Sequence, residues 1–406
     1  LWLRSAHRDS GHLSWQAAGI ARIVIAEDEG CIDMSPRTTP PFRADHVGSL
    51  LRPPWLHAAR AERAAGTISA EELRAVEDRA VREAVALQQE AGLQSVTDGE
   101  FRRATWHMDF VYQIGGISKA QGSLLSTFHN EGGDITFTPD AIRVDRPVTM
   151  DSTIFGQDFA FLQSIAGESV PKLTIPAPSM VHYRSGIRAV ADESVYPDAE
   201  QFWADLSAAY AEEVRRLAAQ GCTYLQLDDT SLAYLNDPAQ RAYVAERGED
   251  ADSMHLRYIA LTNGAISARP EGMAVTTHLC RGNFQSSWVA SGGYDFVAEA
   301  LFNELDVDGF FLEYDDERSG GFVPLRFVPK GKQVVLGLVT TKRPELESRD
   351  ALKRRIEEAS AYVPLDQICL SGQCGFASTA EGNALTADDQ KAKLELIVSV
   401  ANEVWG

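Results

Sequence analysis

The chain has 406 residues, 44% of them apolar, and a formal net charge of −20. That apolar share can fill a sizeable core and excludes a disordered chain. The acidic balance without a long basic run argues against nucleic acid as a ligand, and no apolar stretch reaches the roughly 20 residues that span a bilayer.

Residues 1–33 open on leucine. Their short apolar patch is broken by Arg22, with acidic residues where a signal peptide has a small-residue cleavage site. The segment reads as an upstream extension or non-native remnant, disordered, ahead of the cleaner start at Met34. Five cysteines (Cys31, Cys222, Cys280, Cys369 and Cys374) are too few and too odd in number for a disulfide framework. A reducing cytoplasm fits them.

In chain order, "DHVGSL" at 45–50 reads as a first strand. The stretch 69–91 follows with apolar residues at helical spacing and the capping box Ser69-x-x-Glu72. "LQSVTDGE" then has the look of a buried parallel strand that ends in an acidic loop. Residues 113–151 are glycine-rich and mildly β-prone, an excursion from the main pattern. "KLTIPAPS" at 172–179 is a further strand. A helix over 199–221 leads into "TYLQLDD", one near 253–268 into "MAVTTHLC", and "YDFVAEALFNEL" into "GFFLEY". "QVVLGLV" at 333–339, a helix over 348–363, "QICLSGQC" and a closing helix over 386–405 complete the series. Eight strand and helix units in alternation predict an α/β fold, a (β/α)8 TIM barrel with an insertion around 113–151, as one domain over 34–406. A doubly wound sheet is the alternative.

A barrel of this kind gathers its chemistry at the C-terminal ends of its strands. His278 and Cys280 in "TTHLC", Glu313 in "FFLEY" and Cys374 in "SGQC" stand at such ends, and each is a zinc-capable residue. Alternate residues of one strand point the same way, so His278 and Cys280 can reach one ion. Taken singly, they read equally as a core histidine and small buried thiols. Spacing leaves both readings open.

The motifs "HVGSL", "TDGEFRR", "LQLDD", "HLC", "FFLEYDDERSG" and "QCGFAS" resemble the cobalamin-independent methionine synthase family, specifically its catalytic C-terminal barrel, over about 42–404. The resemblance implies a zinc-dependent methyltransferase, with zinc held by His278, Cys280, Glu313 and Cys374. The thiol of homocysteine would be methylated to give methionine. It further implies that Glu100 and Asp228 receive the substrate ammonium, with Asp228 and Lys342 as candidate catalytic residues. Val47, Gly48 and Ser49 would receive the substrate carboxylate through N–H and hydroxyl donors.

The chain departs from the full-length enzymes in three ways. It matches only one of their two barrels, as a shorter single-barrel branch would. Lys342 in "GLVTTKRPELES" stands where they have a histidine that helps protonate the leaving pterin, and "DDTSLAYLND" lacks their pterin-facing acid. Either Lys342 is tuned by burial or it pairs with an anionic group on another donor. The methyl donor is therefore open, with folate disfavoured, and the assembly is expected to be a monomer or homodimer. The competing readings are another zinc-dependent thiol alkyltransferase, akin to epoxyalkane:coenzyme M transferases, and a non-catalytic zinc- or thiol-binding barrel.

Overall fold

A computed structural model describes residues 37–406 except 123–125, 131, 139 and 184–185. The extension expected over 1–33, Cys31 included, lies outside the described residues.

The strands are β1 (Ser95–Val96), β2 (Gly115–Ala120), β3 (Ser126–Asn130), β4 (Gly133–Phe137), β5 (Ala141–Thr149) and β6 (Val170–Pro171). They continue as β7 (Leu173–Pro176), β8 (Tyr224–Asp229), β9 (Ala274–Leu279), β10 (Gly309–Glu313), β11 (Gln333–Val339) and β12 (Ile368–Gly372). β7 to β12 form a six-stranded parallel sheet in sequence order, and β1 pairs in parallel with β6, which precedes β7. Helices Ala199–Ala219, Met254–Ile266, Ala298–Glu304 and Arg349–Ser360 connect successive sheet strands, and Ala387–Trp405 follows β12. This is an α/β fold.

Local chemistry explains where these elements stop. The Ser69 hydroxyl accepts from the Glu72 N–H at 3.1 Å and the Glu72 carboxylate from the Ser69 N–H at 2.7 Å, so the helix Ala70–Glu90 starts at its capping box. Its buried Gln88 accepts from the Thr97 N–H at 2.9 Å and donates to the Thr97 carbonyl at 3.0 Å. That side chain takes the place of a strand partner. The Asp98 carboxylate likewise accepts from the Glu100 N–H at 2.9 Å, so β1 is only two residues long and yields to a loop.

The strand expected over 45–50 is reduced in the same way to a bridge between Ala44 and Leu370. The Asp45 carboxylate accepts from the N–H groups of Phe42 at 3.1 Å and His46 at 2.8 Å, which turns the backbone out of a ladder.

The excursion over 113–151 is antiparallel. β2 pairs with β5, and β3 with β4 as a hairpin. His129 of the hairpin exchanges backbone hydrogen bonds with Trp288 in the loop after β9, at 2.7 and 2.9 Å, which brings Phe128 against Phe284 with ring centroids 5.5 Å apart.

A large apolar core includes residues from the sheet strands and the surrounding helices, while Val47, Phe311, Val335 and Cys369 form a second, smaller cluster. Phe311, Val335 and Cys369 are aligned across β10, β11 and β12. Beside them the fully buried Lys172 ammonium lies 4.2 Å from the Phe311 ring centre, and it pairs with Asp45 at 3.2 Å.

Candidate active site

Register places the chemistry. Asp228 at the end of β8 is aligned with His278 on β9, and β10 is aligned with β9 such that Phe311 meets His278. In parallel strands aligned residues share a face, so Asp228 and His278 sit side by side. His278 Nδ1 is 3.1 Å from Asp228 Oδ1, and Gln226, two residues earlier on the same face, donates to that oxygen at 2.7 Å. The carboxylate orients the imidazole through Nδ1, and Nε2 lies 3.3 Å from the Gln373 carbonyl oxygen. Asp228 thus acts on His278 as a positioning residue as well as lining the cavity.

Cys280 and Cys374 bring their sulfurs to 3.4 Å from each other, and the ligand atoms of His278, Cys280 and Cys374 all lie within 4.8 Å of one another. All three residues are buried. The hydrogen bond between the thiols, aided by His278 and opposed by burial, draws Cys374 well below its usual range, while Cys280 rises well above its own. Burial opposes the charged form of His278, but Asp228 and Cys374 outweigh it and raise its pKa to about 10. Two sulfurs and an imidazole nitrogen converging from two strand ends are a soft, three-point donor set. It fits an ion that accepts two thiolates and one imidazole in a tetrahedron and keeps its remaining position exchangeable.

Glu313, expected as a fourth ligand, lies beside this group and outside it. Its carboxylate accepts from Arg318 at 2.8 Å, from the Arg281 N–H at 3.0 Å and from Lys342 at 3.4 Å. Burial alone would keep it neutral, yet Lys342, Arg318 and Arg281 hold its pKa at about 2. Lys342 is buried as well. Glu313 and Asp315 outweigh burial and hold its ammonium above the ordinary range. Lys342 thus has anionic partners within its own chain.

A cavity of about 520 Å³ opens over these strand ends. Val47, Ser49, Glu100, Asp228, His278, Cys280 and Cys374 line it; Gly48, Glu313 and Lys342 do not. Glu100 is held in a left-handed conformation at φ +59°, unusual for a residue with a side chain. One oxygen of its carboxylate accepts from Thr174 at 2.7 Å and faces Arg103 at 3.5 Å, while the other is buried without a partner. Burial, countered by Arg103 and reinforced by Asp228, raises its pKa to about 7. Gly48 at φ +141° passes so close that a Cβ would sit 2.7 Å from Thr174 Cγ2, so no side chain fits there. Ser49 accepts from the Ala377 N–H at 3.3 Å, and a Cβ on Gly375 would fall 1.9 Å from its hydroxyl.

Several braces escaped sequence reasoning: Gln226 under Asp228, Thr174 and Arg103 at Glu100, and Arg318 at Glu313. Alternation on "LQLDD" could have flagged Gln226. Arg103 and Arg318 stand inside "TDGEFRR" and "FFLEYDDERSG", close in sequence to the carboxylates they brace, whereas Thr174 comes from a distant strand and leaves no local signal. Asp229 is bound by Ser231, the Leu232 N–H and Ser179 at 2.6, 3.0 and 2.8 Å. Cys222 and Cys369 are core thiols, pushed up to about 12 and about 11 by burial.

An α/β protein with a thiol-imidazole cluster and a carboxylate pair over parallel strand ends is the class these features define. Residues 42–403 match the family model described as cobalamin-independent synthase, catalytic domain, and the chain belongs to that family. It is 46% identical over 370 residues to the uncharacterized protein YxjG of Bacillus subtilis, covering 91% of this chain and 96% of that protein. A methionine synthase of Pyrococcus abyssi is 24% identical over 339 residues, 81% of this chain and 85% of the relative. The solved structure of a putative vitamin-B12 independent methionine synthase from Listeria monocytogenes superposes with a TM-score of 0.72 at 38% identity, covering 91% of this chain and all of that one, 100%.

Proposed function

We propose that this protein is a zinc-dependent methyltransferase that methylates the thiol of homocysteine to give methionine. The observation that carries the reading is the meeting, in one cavity, of the His278, Cys280 and Cys374 donor set with the Glu100 and Asp228 carboxylates. His278, Cys280 and Cys374 would hold zinc, which keeps a substrate thiol deprotonated at neutral pH. Glu313, charged and adjacent, is the candidate for a fourth, exchangeable ligand.

The rest of the work falls to the chain. Two carboxylates in one buried site repel each other, and an incoming ammonium relieves that cost. Glu100 and Asp228 would therefore take the amino group of an amino-acid thiol, with Val47, Gly48 and Ser49 at its carboxylate. Asp228 fixes the His278 ring, and Lys342 with Arg318 keeps Glu313 ionised. A sulfonate thiol such as coenzyme M has no ammonium to offer this pair, which disfavours the alkyltransferase alternative.

The reading includes a closed (β/α)8 barrel over 34–406 as one domain. Its support is that residues 44–50 touch strands on both sides. Ala44 bridges to β12, while the Leu50 N–H donates to the Gly99 carbonyl at 3.1 Å and Thr97 to the Gly48 carbonyl at 2.6 Å, just past β1. No helix among the described residues is long and apolar enough to cross a membrane, and a cytoplasmic monomer or homodimer completes the proposal.

The test is metal analysis of the purified protein together with methionine formation from homocysteine across a panel of methyl donors. Stoichiometric zinc and a methionine product support the reading. A protein without zinc that leaves homocysteine unmodified with every donor overturns it in favour of a binding barrel.

A further inference from the structure

We propose that the methyl donor is a small methylsulfonium cation, an inference that rests on the thiol-methylation reading above. The cavity is lined by five carboxylates, Glu100, Asp140, Asp228, Asp229 and Glu381, and by neither lysine nor arginine among its described residues. Glu100 and Asp228 serve the thiol substrate and Asp229 is bound by its neighbours, which leaves Asp140 and Glu381, both exposed, at the solvent side. The aromatic residues Trp106, Phe128 and Phe284 line the same cavity. Carboxylates with aromatic faces are the surroundings that favour an alkylated cation, through Coulomb attraction and the negative face of the rings.

A polyglutamyl donor finds the reverse, because its anionic tail would pass Asp140 and Glu381, and no lysine or arginine is among the described residues of the lining. The insertion supplies part of this wall. Phe128 is on β3, Asp140 precedes β5, and the hairpin is pinned to the loop carrying Phe284.

The chemistry agrees with the groups present. The thiolate sulfur of homocysteine attacks the methyl carbon, a carbon–sulfur bond forms, and the methyl–sulfonium bond breaks with its electron pair going to the donor sulfur. A neutral thioether leaves, so no proton is required, whereas a pterin nitrogen needs one and Lys342 does not line the cavity. An anion and a cation are both consumed, a change that a cavity of low dielectric favours.

The experiment supplies zinc-loaded protein and homocysteine with trimethylsulfonium, with S-methylmethionine, with neutral dimethyl sulfide or with triglutamyl methyltetrahydrofolate. Methionine is measured throughout, and released dimethyl sulfide in the trimethylsulfonium arm. The expected result is turnover with the sulfonium donors only. Asp140→Asn with Glu381→Gln should raise the sulfonium KM about tenfold and leave that of homocysteine unchanged. Binding of trimethylsulfonium is followed in parallel by calorimetry on the homocysteine complex and should weaken to a similar degree in the double variant. Methionine from the folate donor alone overturns this inference while upholding thiol methylation. Homocysteine binding without sulfonium binding overturns it too, and absence of homocysteine binding sinks the underlying reading.

Discussion

At the Glu313 carboxylate three positive groups converge, from Arg318, Lys342 and the Arg281 main chain with its guanidinium nearby. Glu313→Gln leaves Lys342 and Arg318 with Asp315 and Asp316 as their remaining anionic partners, a loss of about 2 kcal/mol for charge-assisted hydrogen bonds weakened at a buried group. Urea titration would register it. The sign with pH follows from the lowered pKa: the stabilisation is present above the ordinary value of 4.5 and is lost as pH falls toward about 2. Glu100 behaves in the opposite sense. With its pKa near 7 it is increasingly neutral below that pH, so the homocysteine KM should rise as pH drops from about 8 to about 6. A Glu100→Gln variant should show a high KM without this dependence; a KM flat with pH in the unmutated protein would remove Glu100 from the ammonium site. The sequence showed the cluster residues because each stands at a strand end. It concealed which partners they meet: Thr174 reaches Glu100 from a distant strand, and Lys342 reaches Glu313 from the loop after β11.

Among the elements, the helices were the most legible. Apolar spacing and the Ser69 box placed Ala70–Glu90, and removing the cap by Ser69→Ala should cost about 1 kcal/mol in a denaturant titration. Strand lengths were less legible, because Asp45, Gln88 and Asp98 capture backbone N–H groups that a ladder would otherwise use. Glu213 in the helix Ala199–Ala219 accepts from the Ile154 N–H at 2.8 Å, and burial raises its pKa to about 8. A carboxyl raised in the folded state loses stability as pH climbs from its unfolded value toward about 8. Glu213→Gln keeps the acceptor and removes the charge, so its urea midpoint should exceed that of the unmutated protein at pH 8 and approach it at pH 5. The insertion was visible as a β-prone, glycine-rich stretch, but its docking on the loop after β9 depends on a pairing of His129 with Trp288 across distant sequence.

For the whole molecule, a buried ion pair sits beneath the site. Lys172 and Asp45 are fully buried, and Asp45 also accepts from the Tyr224 hydroxyl at 2.7 Å. Lys172→Met would leave that carboxylate buried without its cation and should destabilise the fold by about 3–5 kcal/mol, read as a lower urea midpoint. The central proposal is capture of an amino-acid thiol by zinc at the thiol-imidazole cluster, in the cavity over the strand ends of the parallel sheet. X-ray absorption at the zinc edge, recorded on the purified protein with and without homocysteine, tests this most directly. The expected result is zinc in a nitrogen and sulfur shell that gains a sulfur when homocysteine is added, and loss of that zinc in Cys374→Ser. A spectrum unchanged by homocysteine would contradict it.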